Sequence, residues 1–471
     1  MPDFSSISKV ALLIFVILMS FNIIIFVHEL GHFWAAKWRG LQIDRFQIWF
    51  GRPLWSKTVN GVQYGLGWIP AGGFVALPQM APMESIEGGN SSKAALPPIK
   101  PLDKIIVAFA GPLFSLLLAL TAAVVVSKVG KPKDFVPVSQ IGFVATDSPA
   151  EKAGILPGDT ILKVNGNTVN GFAGSLDSIT EQIVLSRGDQ IVFTVQRPGV
   201  PEPLTLTSGF DTEQTKWFQR KALRKVGLGP ASAAIIEQVV VNSPAATAGL
   251  VPGDKVVSVD GTPLYGPSQL GQYLKVRNWQ TVKLGIESKA GAHREVSVTP
   301  EKPLQPAGTN PEIGVVWENV QIADVRIVYP GPFEQVGDSL RSMWVTITSV
   351  ISPTSSIGVG HLSGPVGIMS MQYDLLQTEN GWQRMLGFFV LFNVNLAVLN
   401  MLPFPVLDGG HITLALLEKI FGRPVQAKPL EIIQTTCALG LISLMLFVTS
   451  KDIGDKFGHG DDPKQVQRVF P

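Results

Sequence analysis

Runs of apolar residues alternate with polar segments along this chain, and four of the runs are long enough to cross a membrane. They are Val10–Val27, Ile105–Ser127, Met385–Leu407 and Ile432–Ser450. A helix needs about 20 consecutive apolar residues to cross the hydrocarbon core of a bilayer. The pattern therefore predicts four transmembrane helices. We expect the first to be retained, because its apolar run lacks a small-residue cleavage site after it.

The end of the third run is interrupted by Pro403 and Pro405. Proline inside a helix removes a backbone hydrogen bond and kinks or ends the helix. Broken helices occur at membrane depth only where protein or a water-filled cavity surrounds them. The interruption therefore indicates a functional site close to these two prolines.

The sequence between the second and third runs contains a repeat. Ser148–Asp159 reads SPAEKAGILPGD, and Ser243–Asp254 reads SPAATAGLVPGD. In each copy Ser-Pro is typical of a helix start, a glycine ends the short helix, and Pro-Gly-Asp turns the chain into an alternating strand. Two copies of one mixed α/β module therefore lie in tandem, at residues 131–215 and 216–302.

The remaining domain boundaries follow from the runs and the repeat. Residues 1–130 hold the first two membrane helices, 303–380 form a linker, and 381–471 hold the last two helices. The linker carries one apolar stripe at helical spacing: Phe333, Val336, Leu340, Met343 or Trp344, Ile347 and Val350. A helix lying on the membrane surface or against a module explains this stripe, and a core-packing helix explains it equally well.

Composition and charge agree with a membrane protein. Hydrophobic residues make up 46% of the chain and charged residues only 16%, whereas an ordinary soluble domain is about 25% charged. The net charge of +2 gives no reason to expect a nucleic-acid partner. The single cysteine, Cys437, excludes an intramolecular disulfide and lies in an apolar run, where a thiol is inert.

Basic residues concentrate in two places, after the first run and between the last two runs. They are Lys37, Arg39, Arg45, Arg52, Lys57, Lys93, Lys100, Lys104, Lys419, Arg423 and Lys428. By the positive-inside rule these two loops are cytoplasmic. Both termini and the tandem modules are then predicted on the opposite side of the membrane.

A candidate metal site begins at the inner end of the first run, where His28, Glu29 and His32 form an H-E-x-x-H motif. On a helix the two histidines project from one face and can hold one zinc ion, with Glu29 beside them as a candidate general base. Ionisable groups in an apolar span usually mark a functional site. The motif also occurs by chance, so a third ligand is needed to support a metal site.

Asp408 is the candidate third ligand, because it ends a run that is otherwise free of charge. A carboxylate oxygen can complete a His-His-Asp set and leave the fourth tetrahedral position for water. Taken alone, Asp408 is better explained as a cap of the helix that starts near Gly410. Together with His28 and His32, it is better explained as a ligand.

With these motifs the chain resembles the site-2 intramembrane zinc metalloproteases, and among them the regulator-of-sigma-E type with tandem PDZ domains. Three motifs carry the resemblance: H-E-x-x-H in the first membrane helix, N-x-x-P-x-x-x-L-D-G in the third, and the S-P-A-x-x-A-G-x-x-P-G-D modules between them. The resemblance covers nearly the whole chain. It implies a polytopic α-helical membrane protein with four transmembrane helices, a membrane-associated β-hairpin region from Phe46 to Leu77, and two mixed α/β PDZ domains.

The resemblance also assigns roles to residues at the matching positions. It implies Zn²⁺ on His28, His32 and Asp408, with Glu29 as the catalytic residue that activates water. It further implies substrate-binding residues that help to hold an unwound peptide in the broken third helix: Asn395, Asn400, Pro403 and Pro405. His293, His361 and His459 are expected to be solvated or structural, and His411 is expected to start a helix or to contact a ligand side chain without binding the metal.

The implied activity is hydrolysis of peptide bonds in the transmembrane segments of single-pass membrane proteins, as in regulated intramembrane proteolysis of anti-sigma factors or signal-peptide remnants. The implied location is a bacterial inner membrane, with the active site near the cytoplasmic side and the PDZ domains and both termini periplasmic. The PDZ grooves, with candidate loops at Ile141–Phe143 and Gly227–Pro230, would bind extended peptides or protein C-termini, or would be rigid spacers. Two alternatives remain: a catalytically inactive membrane-bound PDZ adaptor, and a transport or secretion component with a chance metal motif.

The chain departs from the family pattern at two places. Ser115 stands where related proteins often have asparagine, and the stretch Met80–Pro101 is divergent and rich in proline, serine and glycine. We expect neither to contact a proposed ligand. The departures therefore bear on substrate preference more than on activity.

Overall fold

The computed structural model describes residues 4–80, 99–304, 310–318, 324–422 and 427–458. It divides the chain into two compact units, of which the first is Met1–Pro132 with Ile327–Ile347 and Leu362–Ile453. The second is Lys133–Arg326 with Thr348–His361 and Gly454–Pro471. Lys93, Arg423, His459 and residues 81–98 of the divergent stretch lie outside the described residues.

Helices make up most of the first unit and connect strands in the second. They are α1 (Phe4–Trp38), α2 (Pro101–Val129), α3 (Pro149–Lys152), α4 (Ile179–Val184), α5 (Pro244–Thr247), α6 (Pro267–Arg277), α7 (Pro332–Ile351), α8 (Pro365–Gln377), α9 (Gly381–Asn400), α10 (Asp408–Phe421) and α11 (Ala427–Gly458).

The strands form a hairpin region in the first unit, the sheets of the two modules in the second, and one separate two-stranded sheet made by Lys131–Phe135 and Asp324–Val328. They are β1 (Arg45–Val59), β2 (Val62–Ala76), β3 (Lys131–Phe135), β4 (Ile141–Val144), β5 (Thr160–Val164), β6 (Asn167–Thr168), β7 (Ile191–Gln196), β8 (Leu204–Ser208), β9 (Leu228–Pro230), β10 (Ala234–Val239), β11 (Lys255–Val259), β12 (Thr262–Pro263), β13 (Val282–Glu287), β14 (His293–Val298), β15 (Val315–Trp317) and β16 (Asp324–Val328).

The four predicted membrane helices are confirmed by length and composition. The candidate spans are Ser8–Trp38, Pro101–Val129, Gly381–Asn400 and Pro429–Asp455. The predicted end of the third span at Leu407 is wrong, because α9 ends at Asn400. Residues 401–407, which include Pro403 and Pro405, form a non-helical loop that leads into α10. Two prolines in three residues cannot continue the helical hydrogen bonds, so the loop begins where the sequence first becomes unable to stay helical.

The β-hairpin region of the first unit is built from β1 and β2, which are joined by an Asn60-Gly61 turn. Asn-Gly is the preferred two-residue hairpin turn. Phe46 in β1 pairs with Tyr64 on one side and with Val75 on the other. The first part of β1 is therefore a central strand, and the last part of β2 forms an edge beside it.

Helix α7 exposes apolar side chains and buries polar ones. Phe333 and Trp344 are 81% and 68% exposed, whereas Gln335 is 3% exposed. The Gln335 side chain donates hydrogen bonds to the main-chain oxygens of Ala123 in α2 and of Pro330, both at 3.0 Å. Of the seven residues of the apolar stripe, three are exposed, three are half-buried and Met343 is buried, so core packing explains only part of the stripe.

The two repeats of the second unit fold as the same kind of module, and the equivalent serine and aspartate residues make equivalent hydrogen bonds. Ser148 and Ser243 each accept a hydrogen bond from the first turn of the helix that follows, both at 3.2 Å. The buried carboxylate of Asp159 accepts hydrogen bonds from the Leu156 amide and from Arg197. Asp254 does the same with Val251 and Arg294. The Pro-Gly-Asp signature therefore closes a turn and anchors it to a strand.

Each module is closed by a short strand from far downstream, which the sequence boundaries did not include. Strand β9 pairs with β4, and Val226 lies in the core of the first module, beyond residue 215. Gly227–Pro230 therefore belongs to the first module, and its assignment to the second is wrong. In the second module β15 pairs with β10, and the core extends to Val315, beyond residue 302.

Candidate metal centre

Three side chains from distant parts of the first unit meet at one point. His28 and His32 lie one turn apart on α1, and Asp408 is the first residue of α10. The Nε2 atoms of the two histidines are 3.3 Å apart. Asp408 Oδ2 lies 3.2 Å from His28 Nε2, and Asp408 Oδ1 lies 3.3 Å from His32 Nε2. Within the described residues these three form one group with metal-ligating geometry.

The spacing of these atoms fits zinc. Zinc binds histidine nitrogen and carboxylate oxygen at about 2.0–2.1 Å with tetrahedral angles, which separates neighbouring ligand atoms by about 3.3 Å. The two histidine nitrogens are separated by this distance, and each lies 3.2–3.3 Å from one of the two carboxylate oxygens of Asp408. The donor set of two imidazoles and one carboxylate is also one that catalytic zinc sites use.

Hydrogen bonds behind the two imidazoles fix their orientation. His32 Nδ1 lies 2.8 Å from the main-chain oxygen of Val107, and His28 Nδ1 lies 3.0 Å from Ser115 Oγ. A carbonyl oxygen can only accept, so His32 carries its proton on Nδ1 and its Nε2 lone pair points toward the metal position. The Ser115 hydroxyl can accept from Nδ1–H of the same tautomer of His28. The expectation that Ser115 contacts no proposed ligand is therefore wrong.

Close helix packing makes room for the site. A Cβ atom on Gly111 in α2 would lie 2.2 Å from His32 Nε2, so this position must lack a side chain. At the start of α10, a Cβ atom on Gly410 would lie 2.1 Å from the main-chain oxygen of Phe404. The loop 401–407 can therefore fold back onto the first turn of α10, which sets the position of Asp408.

The three side chains lie in a cavity of about 340 Å³. Glu29 and Asn400 line the same cavity, and so do Gly72 and Gly73 from the edge of β2. Asn400 Nδ2 is 3.5 Å from His28 Nε2. The catalytic candidate and one of the substrate-binding candidates are thus brought to the ligand group.

The other substrate-binding candidates do not line the cavity. Asn395 Oδ1 is buried and has no hydrogen-bond partner among the described residues. The prolines act through the backbone: Pro405 O accepts a hydrogen bond from Gln434 Nε2 of α11 at 3.2 Å. Asn395, Pro403 and Pro405 therefore remain predictions as substrate-binding residues.

Three further residues at or near the site were not predicted to matter. The only sequence signal for Ser115 was its departure from the family pattern. Val107 acts through its main-chain oxygen, which every residue has, so the sequence carries no signal for it. Gln434 is a buried polar residue in the fourth apolar run, which is a recognisable signal. His411 lines the cavity from the first turn of α10 but lies outside the ligand group, in agreement with its expected place at a helix start.

Four candidate membrane helices, a partly buried His-His-Asp group with a neighbouring glutamate, and tandem modules define the class as an intramembrane metalloprotease with PDZ domains. The chain belongs to peptidase family M50, whose family model matches residues 16–446. It is a zinc metalloprotease of the regulated intramembrane proteolysis type.

Named relatives cover the chain almost completely. The regulator of sigma-E protease RseP of Escherichia coli is 28% identical over 454 residues, which span 92% of this chain and 95% of the relative. The protein of the same name from Salmonella typhimurium is also 28% identical, over 91% and 95% of the two chains. A Pasteurella multocida protein whose name assigns it to the zinc metalloproteases is 30% identical, over 93% and 97%.

Among solved structures, the PDZ domain of an SdrC-like protein from Listeria innocua is similar to one part of the chain. It covers 19% of this chain and 96% of its own length, at 20% identity and a TM-score of 0.17.

Proposed function

We propose that the chain binds one Zn²⁺ through His28, His32 and Asp408 and uses Glu29 as the general base in cleaving transmembrane segments of single-pass membrane proteins. The observation that carries this proposal is the meeting of two histidine nitrogens and one carboxylate, close enough to hold one metal ion, in a cavity that Glu29 also lines. Ionisable groups within a membrane-spanning helix cost free energy, so their presence indicates a function.

The protein's own residues supply binding, orientation and proton transfer. When bound, zinc supplies Lewis-acid chemistry that polarises a carbonyl and acidifies water. The Glu29 carboxylate takes the proton of the attacking water and delivers it to the leaving amide nitrogen. Asn400 Nδ2 lies 3.5 Å from His28 Nε2, which supports a role for its amide as a donor to the substrate carbonyl oxygen as negative charge develops there.

The substrate must be unwound before its backbone can reach this position. A helical peptide bond is shielded by its own hydrogen bonds, and groups freed at membrane depth need new partners. The cavity offers such partners at Asn400 and along the edge of β2, where Gly73 and Val75 line it. An extended substrate segment would add to this edge as a strand, with Asn395 as a further buried acceptor.

Substrate identity and location are carried over from the resemblance and the relatives. The relatives' name, regulator of sigma-E protease, supports anti-sigma factors as one substrate class, with signal-peptide remnants as another. The segments rich in lysine and arginine after α1 and before α11 support a cytoplasmic position for the active site in a bacterial inner membrane. The PDZ domains would then be periplasmic, where their grooves could bind peptides or protein C-termini or exclude bulky substrates.

Cleavage of a panel of single-pass membrane peptides by purified protein in detergent tests the proposal. The intact chain should contain one zinc per molecule and cut within the apolar segment, which mass spectrometry of the products would locate. Glu29→Gln should keep the zinc and lose cleavage. Stoichiometric zinc without cleavage of any peptide by the intact chain would favour the inactive PDZ adaptor, and absence of zinc would indicate a chance motif.

A further inference from the structure

A loop of the second unit is rich in basic residues and lies between β8 and β9. Residues 216–225, which we call the basic loop, contain five lysines and arginines in ten positions: Lys216, Arg220, Lys221, Arg224 and Lys225. None of the proposed chemistry uses this loop. Its side chains divide into a group that faces the protein and a group that faces outward.

The basic loop is attached to the last turns of α11. The Arg220 amide donates to Asp455 Oδ1 at 3.0 Å, and Arg220 Nη1 donates to Asp455 Oδ2 at 2.9 Å. A Cβ atom on Gly454 would lie 2.3 Å from the main-chain oxygen of Phe218, so a glycine is required where loop and helix touch. Asp455 is also the last residue of the candidate span Pro429–Asp455. The basic loop is therefore attached to the C-terminal end of this candidate span.

A second set of contacts holds the inner side of the loop in place. Arg224 is 5% exposed, and its guanidinium donates to Ser356 Oγ and to the main-chain oxygen of Thr354. Arg220 Nε donates to Gly360 O at 3.1 Å. These two arginines are thus committed to contacts within the unit, and they fix which side chains the loop presents outward.

The outward side combines an aromatic residue with cations. Trp217 is 88% exposed, the highest value for a large hydrophobic side chain among the described residues. Lys216 precedes Trp217 and Lys221 follows it four positions later, and both lysines are exposed. Tryptophan is enriched at the boundary between membrane and water, and lysines near an anionic membrane surface are attracted to its headgroups.

We infer that the basic loop is a membrane-contact site, in which Trp217 inserts among the headgroups of the bilayer and Lys216 and Lys221 bind anionic phospholipid. The attachment to Asp455 favours lipid over a protein partner, because it places Trp217 beside the end of a membrane span. The site adds a lipid contact of the first PDZ module to those of the membrane helices, and it is independent of the proposed chemistry.

The experiment uses the full-length chain in lipid nanodiscs. Cys437→Ser removes the single cysteine, and Trp217→Cys then carries an environment-sensitive fluorophore. Nanodiscs contain phosphatidylglycerol and a lipid that is spin-labelled near its headgroup. Val241→Cys is the matched control, since Val241 is an apolar residue of the same unit that is 78% exposed. Zinc content confirms that each variant is folded.

The label at position 217 should be quenched at least about twofold more than the label at position 241. Lys216→Glu with Lys221→Glu should reduce this difference, and so should replacing phosphatidylglycerol by phosphatidylcholine. Equal quenching at the two positions would overturn the proposal and leave a protein partner as the occupant. Strong quenching at 217 that ignores both charge changes would overturn the binding of anionic headgroups.

Discussion

Ser115→Ala tests the hydrogen bond that orients one zinc ligand. The substitution removes the acceptor of His28 Nδ1–H and changes little else, because Ser115 is fully buried and alanine fits the same space. His32 keeps its acceptor, since that is the main-chain oxygen of Val107. The variant therefore tests the orientation of His28 while all three proposed ligand side chains remain present.

The expected loss of zinc affinity is about 10–100-fold, which is typical when a hydrogen bond behind a metal ligand is removed. In free energy this is about 1.4–2.7 kcal/mol. The cost of leaving a buried N–H without a partner is about 1–3 kcal/mol, which is the same size. Two separate estimates thus agree on a measurable weakening that stops short of losing the metal altogether.

The assay is competition for zinc with a chelator of known affinity, using purified protein in detergent. Ser127→Ala is the matched control, because Ser127 lies on the same helix and its hydroxyl donates to Val124 O within that helix. Ser115→Asn should recover part of the affinity, since its side-chain oxygen can accept the same proton. A Ser115→Ala variant with the zinc affinity of the intact chain would refute the assigned role of this hydrogen bond.

Three further variants test the site and its surroundings. Asp408→Ala should abolish zinc retention and activity while the chain still inserts in the membrane, because two ligands hold zinc poorly; full zinc content would exclude Asp408 as a ligand. Glu29→Gln should retain zinc and substrate but lose at least about 100-fold in rate, measured as single-turnover cleavage; near-normal cleavage would exclude Glu29 as the base. Replacing residues 133–326 by a short flexible linker tests whether the PDZ domains exclude bulky substrates. The variant should keep zinc and cleave short substrates, and it should also cleave substrates with large outer domains. If the variant still preferred the short form of a matched long and short substrate pair, exclusion by size would be contradicted.

The grouping of the three candidate metal ligands was predictable because the signal of each one is local. His28 and His32 are one helical turn apart, and Asp408 is a lone charge in an apolar context, so spacing and composition are sufficient. Ser115 is different: its contact with His28 spans 87 positions, and a serine in an apolar helix has no pattern that distinguishes a partner from a packing residue. The orientation of the ligands is a tertiary property, and only the fold reveals it.

The module boundaries failed for a related physical reason. Strand β9 has only three residues, which is too short for an alternating pattern to be detected. Its partner, β4, lies more than 80 positions earlier in the chain, so no local signal indicates the pairing. The helix α7 shows another limit. Its apolar stripe was correctly found, but the choice between an inward and an outward face depends on whether the surroundings are water or lipid, which periodicity does not record.

The exposed aromatic side chains of α7 have a practical consequence for isolating the tandem modules. A soluble fragment that continues into this helix would expose Phe333 and Trp344 to water and would leave Gln335 without Ala123. Such a fragment is expected to associate with itself or with detergent. The second module is already closed by β15 at Trp317, so a fragment for crystallisation or binding studies is best ended between Trp317 and Pro332.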